Sequence, residues 1–254
     1  MKTIKNWIDE DVNELKVVAA RKGGAHEFNV NFHRVIPRAV FKDRDIFLSP
    51  ASGISVYSEI VNSPKDELIQ VKGKKFSIND LTMMQVPEGR YYVLSVFMSF
   101  YDQHSNYVPY DSIYKEYKDL DPIQTYNMSM LEVEEVILDT NLVKYDAMDY
   151  LFNNQRRLNI FEIPKMNNYR YYVTQIADSE VNQIVSFHDV NRYLDQNNFV
   201  RQGDPFGKIQ KGSSCELILP LDNAPFEIEE ILVPSKTNLH IEAGIDQVIK
   251  IKRK

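Results

Sequence analysis

Residues 201–220 read Arg201-Gln-Gly203-Asp-Pro-Phe-Gly207-Lys-Ile-Gln-Lys-Gly212-Ser213-Ser214-Cys-Glu-Leu-Ile-Leu-Pro220. Glycines at 203, 207 and 212 punctuate the stretch, and a serine pair opens an apolar run that ends at Pro220. Glycine in such a pattern marks a turn, a bulge or a close backbone approach, so spacing alone reads as a hairpin followed by a strand. No lysine follows the last glycine as a phosphate-binding loop requires, and no helix pattern follows as a dinucleotide fingerprint requires.

The same texture extends outward. Short apolar or alternating runs between turn signals cover Ala39 to Leu48, Ile54 to Val61, Leu68 to Lys72, Tyr91 to Phe100 and Leu131 to Leu138. They continue at Arg157 to Ile163, Tyr169 to Ile176, Cys215 to Leu219, Ile228 to Val233 and Gln247 to Ile251. Richness in Val, Ile, Tyr and Phe at these lengths predicts strands, hence a mainly β protein. Helices are expected at Ile4 to Ala20, closed by Gly23-Gly24, and at Ser77 to Met84, where Ser77 and Asp80 stand at capping-box spacing. Asp146 to Asn154 and Asp189 to Asn197 are two more. At about 150 residues per domain, 254 residues allow one large domain or two small ones. Neither a repeat nor a Pro/Ser-rich linker divides the chain, so the expectation is one domain over 1–254 with an N-terminal helical element over 1–27.

Net charge is −6, with the single short basic run Lys250 to Lys254, which argues against a dedicated nucleic-acid binder. One cysteine, Cys215, excludes an intrachain disulfide and any multi-cysteine metal site, and fits a reducing compartment. The longest apolar stretch, Tyr91 to Tyr101, is too short to span a bilayer, and acids stand where a secretory signal would place its apolar core. A cytoplasmic protein is expected. Tyrosine-rich stretches read as core and sheet surface rather than a stacking platform. Glu132-Val-Glu134-Glu135 and Asp119-Leu-Asp121 lack a histidine at ligand spacing and read as solvated strand edges, so no metal site is expected.

Several segments, in order, resemble the phosphatidylserine decarboxylase family, in its short archaeal-like branch. Gly203-x-x-x-Gly207-x-x-x-x-Gly212-Ser213 with the following strand is similar to the family's self-cleavage segment. Ser49-Pro-Ala-Ser-Gly53 resembles Ser-Pro-Ala-Asp-Gly, and Lys72-Gly73 with Phe76-Ser77 and Leu81 resembles Lys-Gly-x-x-(Tyr/Phe)-Ser-x-x-x-Leu. The strand ending Asp102-Gln-His104-Ser-Asn106 resembles Asp-x-His-x-Asn, and Asn154-Gln-Arg156 resembles Asn-Glu-Arg. The likeness spans roughly residues 28 to 250.

The resemblance implies packed β-sheets of a barrel-sandwich or hybrid-motif kind, with the N-terminal helix and short helices added. It also implies self-cleavage between Gly212 and Ser213, giving 1–212 and 213–254. Ser213 would attack the carbonyl of Gly212, and elimination of the Gly212 carboxylate, with water then replacing the Ser213 nitrogen as ammonia, would leave it as a pyruvoyl group, a covalent pyruvate that heads the new chain. Its ketone would take up a substrate amine and hold the electron pair left by carbon dioxide, as pyridoxal phosphate does elsewhere. His104 would be the acid–base group near it, with an ordinary pKa near 6.5 that suits protonation of the substrate Cα. Asp102 would either orient His104 or be a solvated loop residue. His26, His33, His188 and His240 match no motif. The substrate would be phosphatidylserine, decarboxylated to phosphatidylethanolamine, or a soluble amino acid, with peripheral membrane contact and a homodimer as further partners.

Two positions depart from the family pattern. Ser52 replaces an aspartate that in the family supports the base activating the nucleophilic serine, and Tyr107 replaces an arginine or histidine. Asp43, Asp45 and Asp102 are the carboxylates that would compensate. The departures motivate a second reading, a degenerate family member that keeps the fold and acts as a binding or scaffolding protein.

Overall fold

The computed structural model describes residues 1–22, 45–84, 86–123, 130–178, 184–187, 198–210, 213–235 and 237–254. Strands occupy 45% of the chain and helices 20%, so the mainly β class with several antiparallel sheets is as the sequence predicts. The sheets do not close into a barrel among the described residues.

In chain order the strands are β1 (Lys2–Thr3), β2 (Ile46–Leu48), β3 (Gly53–Val61), β4 (Ile69–Val71), β5 (Lys74–Phe76), β6 (Tyr91–Met98), β7 (Ser105–Tyr107) and β8 (Ser112–Leu120). They continue as β9 (Arg156–Ile163), β10 (Tyr169–Ile176), β11 (Ile184–Ser186), β12 (Phe199–Val200) and β13 (Pro205–Ile209). The last are β14 (Ser213–Pro220), β15 (Phe226–Ile231), β16 (Leu239–Ile241) and β17 (Gln247–Arg253). A nine-stranded sheet in the order β1-β16-β3-β6-β14-β10-β9-β8-β12 forms the centre. The sheets β11-β13-β7 and β15-β17-β2 contribute Ile184, Phe206, Phe226 and Val248 to the hydrophobic core on one face of it. The helices and the β4–β5 pair supply Trp7, Phe76, Leu81, Ile137 and Phe152 to the core on the other.

The central strands are buried from end to end. All eight residues of β6 and of β9 are out of solvent. Covering both faces of a sheet calls for continuous apolar runs rather than strict alternation, which is what Tyr91 to Met98 provides. At the edges the pattern becomes amphipathic. β8 buries Ser112 and Tyr114 and exposes Lys115, Glu116, Lys118 and Asp119. Its polar character hid it from a reading based on apolar runs.

Two of the expected helices form much as predicted. Ser77 accepts the Asp80 backbone N–H while Asp80 accepts that of Ser77 at 2.9 Å, a reciprocal cap on the helix Ile78–Thr82. Tyr145–Ala147 and Tyr150–Asn153 fill the Asp146 to Asn154 expectation with two short helical turns. The N-terminal helix runs from Ile4 through a π-helical stretch, Ile8–Val12, to Lys22, preceded by β1. The expected helix at Asp189 to Asn197 lies outside the described residues, as do Gly23-Gly24 and 39–44 of the first expected strand.

One expectation is wrong. Leu131 to Leu138 is not a strand but lies within the helix Met130–Thr140. Val133, Glu134 and Ile137 are its buried positions, the spacing of a helix face rather than of a pleat. Glu134 is therefore not on a solvated strand edge. It is buried, accepts the Phe100 backbone N–H at 2.9 Å, and burial pushes its carboxyl up to about 7. Asp119 does stand at a strand edge, but paired with Arg157 through two contacts of 2.6 and 2.9 Å.

Candidate functional site

Antiparallel register places Ser213 opposite Met98, and Ser214 opposite both Phe97 and Ile176. The serine pair thus opens a strand seated between β6 and β10, in the middle of the large sheet. Gly212 and the Ser213 side chain lie outside the described residues.

The segment after β6 folds back under this point. Ser99 donates to Asp102 Oδ2 from its backbone N–H (3.0 Å) and its hydroxyl (2.7 Å), which tightens the turn at 99–102. His104 follows, buried, with Nδ1 3.1 Å from the carbonyl of Asp102. A carbonyl only accepts, so that bond requires the proton on Nδ1 and leaves the basic lone pair on Nε2. The His104 carbonyl accepts Ile209 N–H at 3.0 Å, tying it to the strand that leads toward Ser213.

The next residue on the same face, Asn106, connects the site to the sheet. Its amide N–H₂ lies 3.7 Å from Met98 Sδ, opposite Ser213, and its Oδ1 accepts Gln175 Nε2 at 2.7 Å. Gln175 Oε1 accepts Asn159 Nδ2 at 3.0 Å, and Asn159 Oδ1 accepts the Tyr114 hydroxyl at 2.8 Å. This neutral chain crosses β7, β10, β9 and β8 wholly out of solvent. Gly207 belongs to it by what it lacks. A Cβ there would sit 2.8 Å from the Val185 carbonyl and 3.2 Å from Gln175 Nε2, so β13 reaches this face only as glycine. Gly53 is constrained more tightly, since a Cβ would come within 2.0 Å of the Phe97 carbonyl.

Asp102 is not a solvated loop residue, and its carboxylate does not face His104. Oδ1 meets His240 Nε2 at 2.7 Å, and both side chains are buried. Burial pushes the Asp102 carboxyl up, but His240 and Ser99 outweigh it and hold it below the ordinary carboxylate range. Trp7 of the N-terminal helix stacks on His240 at 5.1 Å with the rings 12° apart. His240 matched no motif, and a contact spanning 138 positions leaves no local trace in the sequence.

The two departures from the family pattern meet in space. Ser52 Oγ accepts the Ala243 backbone N–H at 3.0 Å and Gln103 Nε2 at 3.3 Å, while Gln103 Oε1 accepts the Tyr107 hydroxyl at 3.0 Å. An uncharged relay, Ser52–Gln103–Tyr107, occupies the place where the resemblance expects a carboxylate and a basic side chain. Asp45 does not compensate, being an exposed partner of Arg253 at 3.6 Å, and Asp43 lies outside the described residues. No cluster of three metal-ligating side chains occurs among the described residues.

On the opposite face of the same strand, Ser214 Oγ and the Tyr150 hydroxyl share a 2.9 Å hydrogen bond. Glu216, also buried, accepts Ser95 Oγ at 2.8 Å, and burial raises its carboxyl to about 8. The sequence reading assigned none of these residues a role.

Antiparallel sheets packed around a buried cluster of imidazole, amides and hydroxyls at a Gly-Ser strand start define an enzyme-like β protein with its polar centre inside the sheet layers. The family model for phosphatidylserine decarboxylase matches residues 25–244, and the chain belongs to that family, whose members are carboxy-lyases. No curated protein sequence matches the chain. No described helix is long and apolar enough to cross a membrane.

Proposed function

We propose that the chain is a pyruvoyl-dependent decarboxylase acting on phosphatidylserine or a related amino acid, matured by scission between Gly212 and Ser213. The family match over 25–244 carries this reading. The setting of Ser213 supports it, because a strand held on both sides by β6 and β10 fixes the residue that must react. Asn106 of β7 reaches Met98, the residue opposite Ser213, and the buried His104 stands two residues before Asn106.

When formed, the pyruvoyl group supplies a ketone that accepts a substrate amine and an electron sink for the departing carboxylate's electron pair. This chain's own residues do the rest. His104 is fixed through Nδ1, so Nε2 is the atom to hold and deliver the proton that replaces carbon dioxide at the substrate Cα. Asn106 and Gln175 hold one orientation because each amide is committed to a partner. Burial of all three excludes bulk water. The protein would work in the cytoplasm or at a membrane surface, and would assemble as a homodimer.

One observation favours a second reading. The Ser52–Gln103–Tyr107 relay offers no charged base for activating Ser213, and loss of an orienting carboxylate costs orders of magnitude in a nucleophilic step. A member that keeps the fold as a binding or scaffolding protein would look like this. Intact-mass measurement of the purified protein separates the two: fragments 1–212 and 213–254 support the enzyme, and an uncut 29.7 kDa chain without decarboxylase activity supports the second reading. Uncut wild type with cleavage restored by Ser52→Asp would identify the missing carboxylate as the cause.

A further inference from the structure

Arg156 is fully buried at the start of β9, and its Nε and Nη2 atoms meet no hydrogen-bond partner. Nη1 reaches only the Leu151 carbonyl, at 3.4 Å. Asp80 is the acidic side chain that favours its charge, and Asp80 is committed to Ser77 at 2.7–2.9 Å. Burial lowers the guanidinium pKa only to about 10, so it stays a cation at neutral pH. A buried cation with two idle donors and no salt bridge to any described residue is costly to keep, and such a group calls for a partner from outside the chain, an ion or water.

Further donors surround the same spot. Arg156 lies opposite Ile176, and Ile176 lies opposite Ser214, so two strand spacings put the Arg156 and Ser214 backbones roughly 10 Å apart. Thr174, two residues from Ile176 on that face, is buried with its hydroxyl unpartnered. The Ser214 and Tyr150 hydroxyls spend one proton on each other and retain a second to give. The short helix Tyr150–Asn153 joins the group, with Tyr150 bonding Ser214 and Leu151 receiving Arg156. Glu216 faces Thr174 across the strand pair and is mostly protonated at neutral pH, so it does not repel an anion.

We infer that Arg156, Thr174 and the Ser214–Tyr150 pair form a buried anion site that takes the carboxylate or phosphodiester of the substrate. The inference deepens the proposed decarboxylase function and rests on it for the ligand's role as substrate. A planar guanidinium with two free N–H groups is the geometry that a carboxylate or phosphate fork recognises.

The test is calorimetric titration of the full chain with acetate and, separately, with dimethyl phosphate, alongside intact-mass measurement. At least one ion should bind the wild type. Arg156→Gln should weaken binding roughly thirtyfold or more, and Arg156→Lys should recover part of it. Thr174→Val, which preserves shape, should weaken it about fivefold. Dimethyl phosphate binding alone assigns the site to a phospholipid head group. Acetate binding alone, displaced by L-serine, assigns it to an amino-acid carboxylate. The inference is overturned if neither ion binds, in which case water satisfies these donors, or if the Arg156→Gln and Thr174→Val proteins bind as tightly as wild type. Should Arg156→Gln fail to fold, unchanged affinity in Thr174→Val overturns it alone. An uncut, inactive wild type that still binds an ion overturns the proposed function and leaves the anion site standing. A cut, active protein that binds neither does the reverse.

Discussion

The two faces of β14 handle buried polar groups in opposite ways. On the face toward the small sheets, Asn106, Gln175 and Asn159 are linked amide to amide and end at Tyr114, with Ser186 Oγ on β11 the buried hydroxyl left outside the chain. On the face toward the helices, Arg156, Thr174, Glu216 and Tyr57 are equally buried, yet each keeps an atom without a partner. A closed network fixes one arrangement of the core and is costly to interrupt. An open one holds polar capacity in reserve, and reserve at a buried site points to something that arrives from outside the chain. The difference teaches where to look for rigidity and where for recognition.

The largest expected effect tests whether this strand is a reaction site at all. Ser213→Ala should abolish any scission, leaving a single species at 29.7 kDa by mass spectrometry where wild type gives two. A variant that still cuts at 212/213 would remove Ser213 from the chemistry.

Next is the pH response of the open face. Glu216 is raised to about 8 by burial, so the folded chain holds its proton more tightly than the unfolded chain, whose carboxyl titrates near 4.3. Unfolding then releases a proton, and stability falls as pH rises between those two values. At pH 7 the penalty is about 3 kcal/mol relative to a pH below 4.3. Glu216→Gln should flatten the decline measured by urea unfolding across pH 5–8. Glu134, raised to about 7, contributes a smaller slope of the same sign and remains in that variant. An unchanged slope would mean that Glu216 is solvated in solution.

The closed face should respond to mutation in the ordinary way of a buried network. Gln175→Leu strands Asn106 Oδ1 and leaves Asn159 Nδ2 to the Val173 and Arg157 carbonyls at 3.0 and 3.3 Å, and should lower unfolding free energy by about 1–3 kcal/mol. Tyr57→Phe, on the open face, removes a hydroxyl that has Ser95 beside it but makes no well-formed hydrogen bond, and should change stability by less than about 1 kcal/mol in either direction. Equal losses from the two variants would erase the distinction between the faces. A similarly small effect is expected at the sheet edge, where Asp119→Ala removes a bidentate partner of Arg157 at a cost of about 0.5–1 kcal/mol.

The centre of the sheet was legible in the sequence because full burial on both faces writes a continuous apolar run at Tyr91 to Met98, while β9 was legible through Leu158, Ile160, Phe161 and Ile163 despite its buried polar residues. Ser77 and Asp80 were legible because a capping box is a local device. The helix Met130–Thr140 was misread because Leu131-Glu-Val-Glu134 mimics an alternation that its later residues, Val136 and Ile137, do not continue. At the site, His104 and the Gly-Ser pair could be singled out through motifs. The Asp102–His240 pair, the Ser52–Gln103–Tyr107 relay and the Arg156–Ser214 neighbourhood could not, since each depends on strand register across long separations. Arg156 stands in a motif-like stretch and Glu216 beside an apolar run, and only the structure shows that both are buried.

The position of β14 has one more consequence. If the backbone parts ahead of it, the piece that begins at Ser213 carries an interior strand of the large sheet, hydrogen-bonded to β6 on one side and β10 on the other, together with β15, β16 and β17. Two such pieces are interlaced rather than docked. They would co-purify through native chromatography, come apart only under denaturant, and regain the fold only by meeting again, so refolding of a cut protein would become a second-order event that slows on dilution.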